Sequence, residues 1–121
     1  MTIVHEASVW FGVIMPDRVP DETLKALCIQ RSDKDSRDWV KARDELESCL
    51  QGDLQCITWG DCWTGRDVGF GIAVRSEVRK VEEGAPVSWP DGRPTYPALR
   101  KALKRLGITA RPSWYLTMEV R

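Results

Sequence analysis

The 121-residue chain is poor in the residues that make enzymes and metal sites easy to recognise, with a single histidine and no excess of either charge. A Ser or Cys nucleophile needs a base, usually His. The only one, His5, lies near the N-terminus, where it reads as an ordinary surface or strand-edge residue. No Cys-x-x-Cys pair exists among Cys28, Cys49, Cys56 and Cys62. Cys56 and Cys62, with five residues between them, are a poor match to zinc-ligand spacing. Neither a metal nor a cofactor is therefore expected, and no catalytic residue is assigned. Gly60, Gly65, Gly69 and Gly71 are not followed by the Gly-Lys-Ser/Thr of a phosphate loop. No stretch approaches the ~20 apolar residues of a membrane span. No secretory leader is read at the start of the chain, so the cysteines are expected as four free thiols and the compartment as cytoplasmic. Lys+Arg and Asp+Glu are both 18. A general nucleic-acid binder usually shows a basic excess, so that class is lowered, although a basic stripe on one face remains compatible with zero net charge.

What the chain does have is tryptophan. There are six, Trp10, Trp39, Trp59, Trp63, Trp89 and Trp114, against two phenylalanines. Trp anchors both cores and interfaces. Some of the six must serve as core, and one or two are expected on a contact surface. Hydrophobic residues at 42% and charged residues at 30% describe an ordinary globular composition, and the length fits one domain covering 1–121.

The residue pattern predicts a strand over Ala7–Met15, rich in β-branched and aromatic residues and closed by Pro16 and Pro20. Asp21 offers a helix N-cap, and Leu24, Leu27 and Cys28 follow at helical spacing. The polar run Arg31–Arg37 breaks this helix. Trp39, Arg43, Leu46 and Cys49–Leu50 then mark one face of a second helix. After Gly52 the period changes to two, giving a short strand at Leu54–Trp59, a turn-rich loop at Gly60–Asp67 and a strand at Val68–Val78. Proline and glycine crowd Glu82–Pro97, an irregular connection. Tyr96–Leu106 is helical, with Leu99, Ala102, Leu103 and Leu106 on one face and Lys101, Lys104 and Arg105 off it. The last strand is Ser113–Arg121.

The order β-α-β-β-α-β is that of a ferredoxin-like sandwich: a four-stranded antiparallel sheet, helices on one face, strands one and three side by side. On this α+β layout Phe11, Val13, Phe70, Ile72, Trp114, Leu116 and Met118 face the helices. The other face is open, with a low floor of Gly12, Gly69, Gly71 and Ala73. Trp10, Tyr115 and Trp59 rise around it, either as a shallow pocket or as a dimer surface. The second strand is ambiguous, because Leu54/Cys56 compete with Ile57/Trp59.

Two resemblances follow. Val68-Gly69-Phe70-Gly71-Ile72-Ala73-Val74 resembles the third-strand motif of RNA-recognition-motif domains. That resemblance implies an outward Phe70 stacking on RNA, but Val68 replaces the basic first position and Ile72 an aromatic. Gly69–Val74, Leu99–Gly107 and Pro112–Leu116 together resemble the layout of small uncharacterised phage proteins. That likeness implies an accessory factor that binds and inhibits a host protein, including defence systems.

The recognition elements are expected in the two loops. Trp63 sits at the hairpin tip beside Arg66, flanked by Asp61 and Asp67, and Trp with Arg is a pair enriched at interface hot spots. The acidic residues also satisfy turn chemistry. Trp89 and Tyr96 belong to the segment Glu83–Tyr96, and Trp10 and Tyr115 to the open face. The expected function is a small non-enzymatic binding protein, an anti-CRISPR-like phage or mobile-element inhibitor docking on a host protein or defence complex. The alternatives are a homodimeric ligand-binding domain using the open sheet face, an RNA-binding domain, or an enzyme not signalled by motif.

Overall fold

Nine short elements build an α+β domain in the computed structural model, which describes residues 5–61, 66–82, 84, 86, 89 and 96–120. They are β1 (His5–Ile14), α1 (Asp21–Ala26), α2 (Asp35–Cys49), β2 (Leu54–Asp61), β3 (Arg66–Val74), a 3₁₀ turn (Arg75–Glu77), β4 (Arg79–Val81), α3 (Pro97–Arg105) and β5 (Ser113–Val120).

β1 is the central strand, as its apolar composition requires. Along one edge it pairs antiparallel with β5, from His5–Val120 to Gly12–Ser113. Along the other it pairs with β3 through Gly12–Ile14 and with β4 through Ala7–Val9. β2 and β3 form a hairpin with an irregularity between Trp59 and Gly60. Strands one and three are thus neighbours, as expected, but the sheet has five strands rather than four. The physical reason is a bulge. β3 and β4 run along the same edge of β1, separated by the 3₁₀ turn Arg75–Glu77, across which the register jumps by three residues. An insertion of this size breaks the ladder and turns the strand locally. The Arg75 guanidinium ties the turn to the carbonyl oxygens of Gly52 and Leu54 at the start of β2.

Side-chain alternation assigns the faces. Phe11, Val13, Phe70, Ile72, Val74 and Leu54 point to the helices and join Leu24, Trp39, Ala42, Leu46, Leu99, Leu103 and Leu106 in one core. Leu54 and Cys56 therefore win the inward side of β2. Each fully buried aliphatic or aromatic side chain here contributes roughly 1.5–3 kcal/mol relative to exposure. In α3 the helical spacing buries Leu99, Ala102 and Leu103, and the helix stops at Gly107, whose φ of +68° suits glycine.

Two local expectations change. Asp21 does not cap α1; Pro20 holds the cap position with no side-chain bond. The Asp21 carboxylate instead takes the Arg31 guanidinium. Nor is Gly60–Asp67 all loop. β2 continues through Asp61, β3 starts at Arg66, and the pairs Gly60–Asp67 and Asp61–Arg66 close the ladder.

Candidate functional site

The face of the sheet turned away from the helices was expected to be open, and at its centre it is closed: Trp10 is fully buried, while Ile57, Trp59 and Tyr115 keep partial exposure. In the pairing order β5–β1–β3–β2, a flat sheet would hold β2 and β5 about 14 Å apart. Here the sheet curls until the two meet in a parallel bridge, Asp61 with Val120. Strand twist of fixed hand supplies this tendency, and the aromatic side chains on the inside fill the space it creates. Trp10 is fully buried. Its ring centroid lies 5.0 Å from Tyr115 and 5.9 Å from Trp59, and its indole N–H donates to Thr117 Oγ1 at 3.0 Å.

The glycine floor admits both a ring and close backbone: a Cβ at Gly12 would sit 1.9 Å from the Ile72 carbonyl oxygen. A Cβ at Gly69 would sit 2.2 Å from the Trp59 ring, and one at Gly71 would sit 2.2 Å from the Val13 carbonyl oxygen and 3.0 Å from Trp10. Sequence reasoning placed Trp10, Trp59 and Tyr115 correctly beside that floor. It missed that they lie over it rather than around it. Trp10 is therefore withdrawn as a contact residue, and Tyr115 is half-buried beneath it.

The remaining candidates separate. Trp63 lies outside the described residues, as do the side chains of Asp61, Arg66 and Asp67. The backbones of the last three are held in the β2–β3 ladder. Trp89 is half-exposed. Tyr96 is half-buried, packs on Phe11 at 5.8 Å and donates its hydroxyl proton to Glu77 at 2.6 Å. Partial burial, then this bond to Glu77, pushes the Tyr96 phenol up to about 12. Cys28 and Cys49 are exposed free thiols, and Cys56 is partly buried against the core. Phe70 is fully buried with its ring 4.7 Å from Trp39, so it cannot stack on RNA as the RNA-recognition-motif likeness implied.

Two features were not anticipated. At the α1–α2 junction Asp38 is fully buried and accepts the Ser32 backbone N–H at 3.1 and 3.2 Å. Arg31 donates to the Val19 carbonyl and reaches Asp21, Asp35 and Asp38. Ser32 above all, against the opposing effect of burial and helped by Arg31 and Lys41, holds the Asp38 carboxyl below the usual carboxylate range. This junction is a structural latch.

The second feature is a groove of about 780 Å³ between α3 and the connection to β5. Phe11, Tyr96, Leu99, Leu103 and Ile108 form its floor, and Arg100, Lys104 and Arg111 stand on its rim with Glu22. The signal for it was in the sequence: residues 96–112 hold five cations and no carboxylate. Beyond the groove, Trp114, Leu116 and Met118 continue on the same side of β5, and Leu116 and Met118 are 45% and 53% exposed.

No protein-family model, curated protein or solved structure matches this chain. Among the described residues no group of three or more His, Cys, Asp or Glu is placed to hold a metal ion, and no helix is long and apolar enough to cross a membrane.

Proposed function

We propose that this chain is a small non-enzymatic binding protein that docks on a host protein or protein complex, as a phage or mobile-element inhibitor of host defence would. The observation that carries the docking part is the apolar row on β5. Leu116 and Met118 stand about half-exposed side by side on β5, next to buried Val9 and partly buried Ala7, their register partners on β1. Exposed apolar side chains that adjoin one another, rimmed by charge, mark interaction sites more than scattered ones do. The link to phage accessory factors rests on the likeness in Gly69–Val74, Leu99–Gly107 and Pro112–Leu116 alone.

The ferredoxin-like reading of the fold belongs here too. The pairings β5–β1–β3–β2 follow that sandwich's strand order, and the helices share one face; the curl and the extra β4 are this chain's departures. The homodimer through an open sheet face loses its main support, because Trp10 is fully buried there against the partly buried Trp59 and Tyr115.

The test compares wild type with Leu116→Glu/Met118→Glu in affinity capture from host lysate, with melting temperature as the control for folding. A captured protein lost in the double variant at unchanged Tm supports docking through β5. Capture of the same protein by both removes the β5 row from the interface, and a wild type that captures nothing specific contradicts the proposal.

A further inference from the structure

We propose that the α3 groove seats an acidic, apolar-bearing segment of a partner protein, an inference that rests on the binding-protein reading and names the chemistry of its partner. The charges of this neutral chain are sorted in space. α3 presents Arg100, Lys101, Lys104 and Arg105, all exposed, and Arg111 follows on the connection to β5. Among the described residues none of the five takes an ion pair or a side-chain hydrogen bond, whereas Arg18, Arg31, Arg43 and Arg79 are paired with carboxylates. Five unpaired cations side by side repel one another, and a partner's carboxylates would relieve that repulsion.

Arg100 and Lys104 lie one helical turn apart and share a face of α3. With Arg111 they rim a floor of Phe11, Leu99, Leu103 and Ile108. Charge at the rim and apolar side chains beneath is the division of labour of protein interfaces. The lining favours a peptide over a phosphodiester chain, because its floor is mainly apolar and the hydroxyl of its Tyr96 is already held by Glu77. The lining ends at Pro112, and Trp114, Leu116 and Met118 follow on one side of β5, the last two exposed, so an apolar track continues past the groove.

The probe is a fluorescein-labelled 12-residue peptide alternating Glu with Leu and Phe, read by anisotropy. Wild type should bind it, with affinity falling as salt rises. Arg100→Glu/Lys104→Glu/Arg111→Glu should bind about tenfold more weakly or worse, three surface charge pairs being converted to repulsions. Lys104→Gln alone should give a smaller loss in the same direction, which keeps the test valid if the triple variant folds poorly. Lys80→Glu, on β4, should change nothing. A Lys-for-Glu version of the peptide should not bind. The proposal is overturned if the acidic peptide fails to bind wild type, or if the triple variant binds it equally. Tighter binding of a dT20 oligonucleotide at the same residues would assign the face to nucleic acid instead. A dimer in the absence of peptide, broken by the triple variant, would assign it to a second copy of the chain. If the triple variant still captures the host partner, the groove proposal fails and the binding-protein reading stands. If wild type captures no partner while the peptide data hold, the reverse is true.

Discussion

Replacing Trp10 by Ala removes the centre of the aromatic cluster on the inside of the curled sheet. The side chain is fully buried, touches Trp59 and Tyr115 and donates the bond that satisfies Thr117. Deleting a buried Trp costs about 3–5 kcal/mol, transfer and cavity together. Total stability for a domain is only ~5–15 kcal/mol, so this is a large share of it. At this chain length the loss corresponds to a Tm drop of roughly 10–25 °C. Urea unfolding followed by circular dichroism measures it, with the slope checked so that a changed denatured state is not mistaken for lost packing. Trp10→Phe separates the parts: it keeps a ring, abandons the Thr117 bond and should cost less than half as much. A Trp10→Ala cost under about 1 kcal/mol would refute the interior position, because an exposed substitution costs no more than that. Trp10 would then return to the surface as a contact residue.

Gly71→Ala should destabilise the fold by more than about 2 kcal/mol, because its new Cβ meets the Val13 carbonyl, which is backbone and cannot give way. Gly69→Ala should cost less, since it meets only the Trp59 ring, and should shift Trp59 fluorescence; equal costs in thermal melts would count against the packing described. Asp38→Asn should lower Tm at neutral pH. The Asp38 carboxyl sits below its ordinary value, so its stabilisation is complete above the usual carboxylate pKa and fades as pH falls through the lowered folded value. The gap between wild type and variant should therefore close in acid, and a gap independent of pH would contradict the latch. Tyr96→Phe should cost about 1 kcal/mol through the bond to Glu77. With the phenol raised from 10 to about 12, wild type should lose its advantage across that interval, because the unfolded chain ionises first; melts at pH 9 and 11 decide it.

Much of this architecture was legible in residue patterning. The period of two in β1 and β3 assigned their faces correctly, and the spacing of Leu99, Ala102, Leu103 and Leu106 fixed the buried side of α3; on β5 only Trp114 packs against the helical core, while Leu116 and Met118, expected there too, stand exposed. The expectation of an open face failed for a tertiary reason. Alternation tells which side of a strand a residue takes, but not how far the sheet curls, and Trp10 changes from pocket wall to core on that curl alone. The fifth strand was hidden because Val68–Val78 reads as one strand through the polar Arg75-Ser76-Glu77, where the break depends on Arg75 reaching across to β2. Asp38 carried no signal, since a lone Asp near a helix start looks like dipole chemistry until Ser32 and Arg31 fold onto it. The α3 groove was visible as a run of cations without carboxylates. What set it apart from a solvated helix face, the apolar floor of Phe11 and Ile108, comes from segments almost a hundred residues apart.

The central claim is that the aromatic face is interior and that recognition belongs to the outer surface of α3 and β5. A ¹H–¹⁵N correlation spectrum titrated with the acidic peptide tests both halves at once. The Trp10 indole N–H should exchange slowly with solvent and stay in place throughout, while the backbone amides of Arg100, Lys104, Ile108 and Arg111 move. A Trp10 indole that exchanges rapidly and shifts with the peptide, while residues 100–111 stay still, would contradict the account.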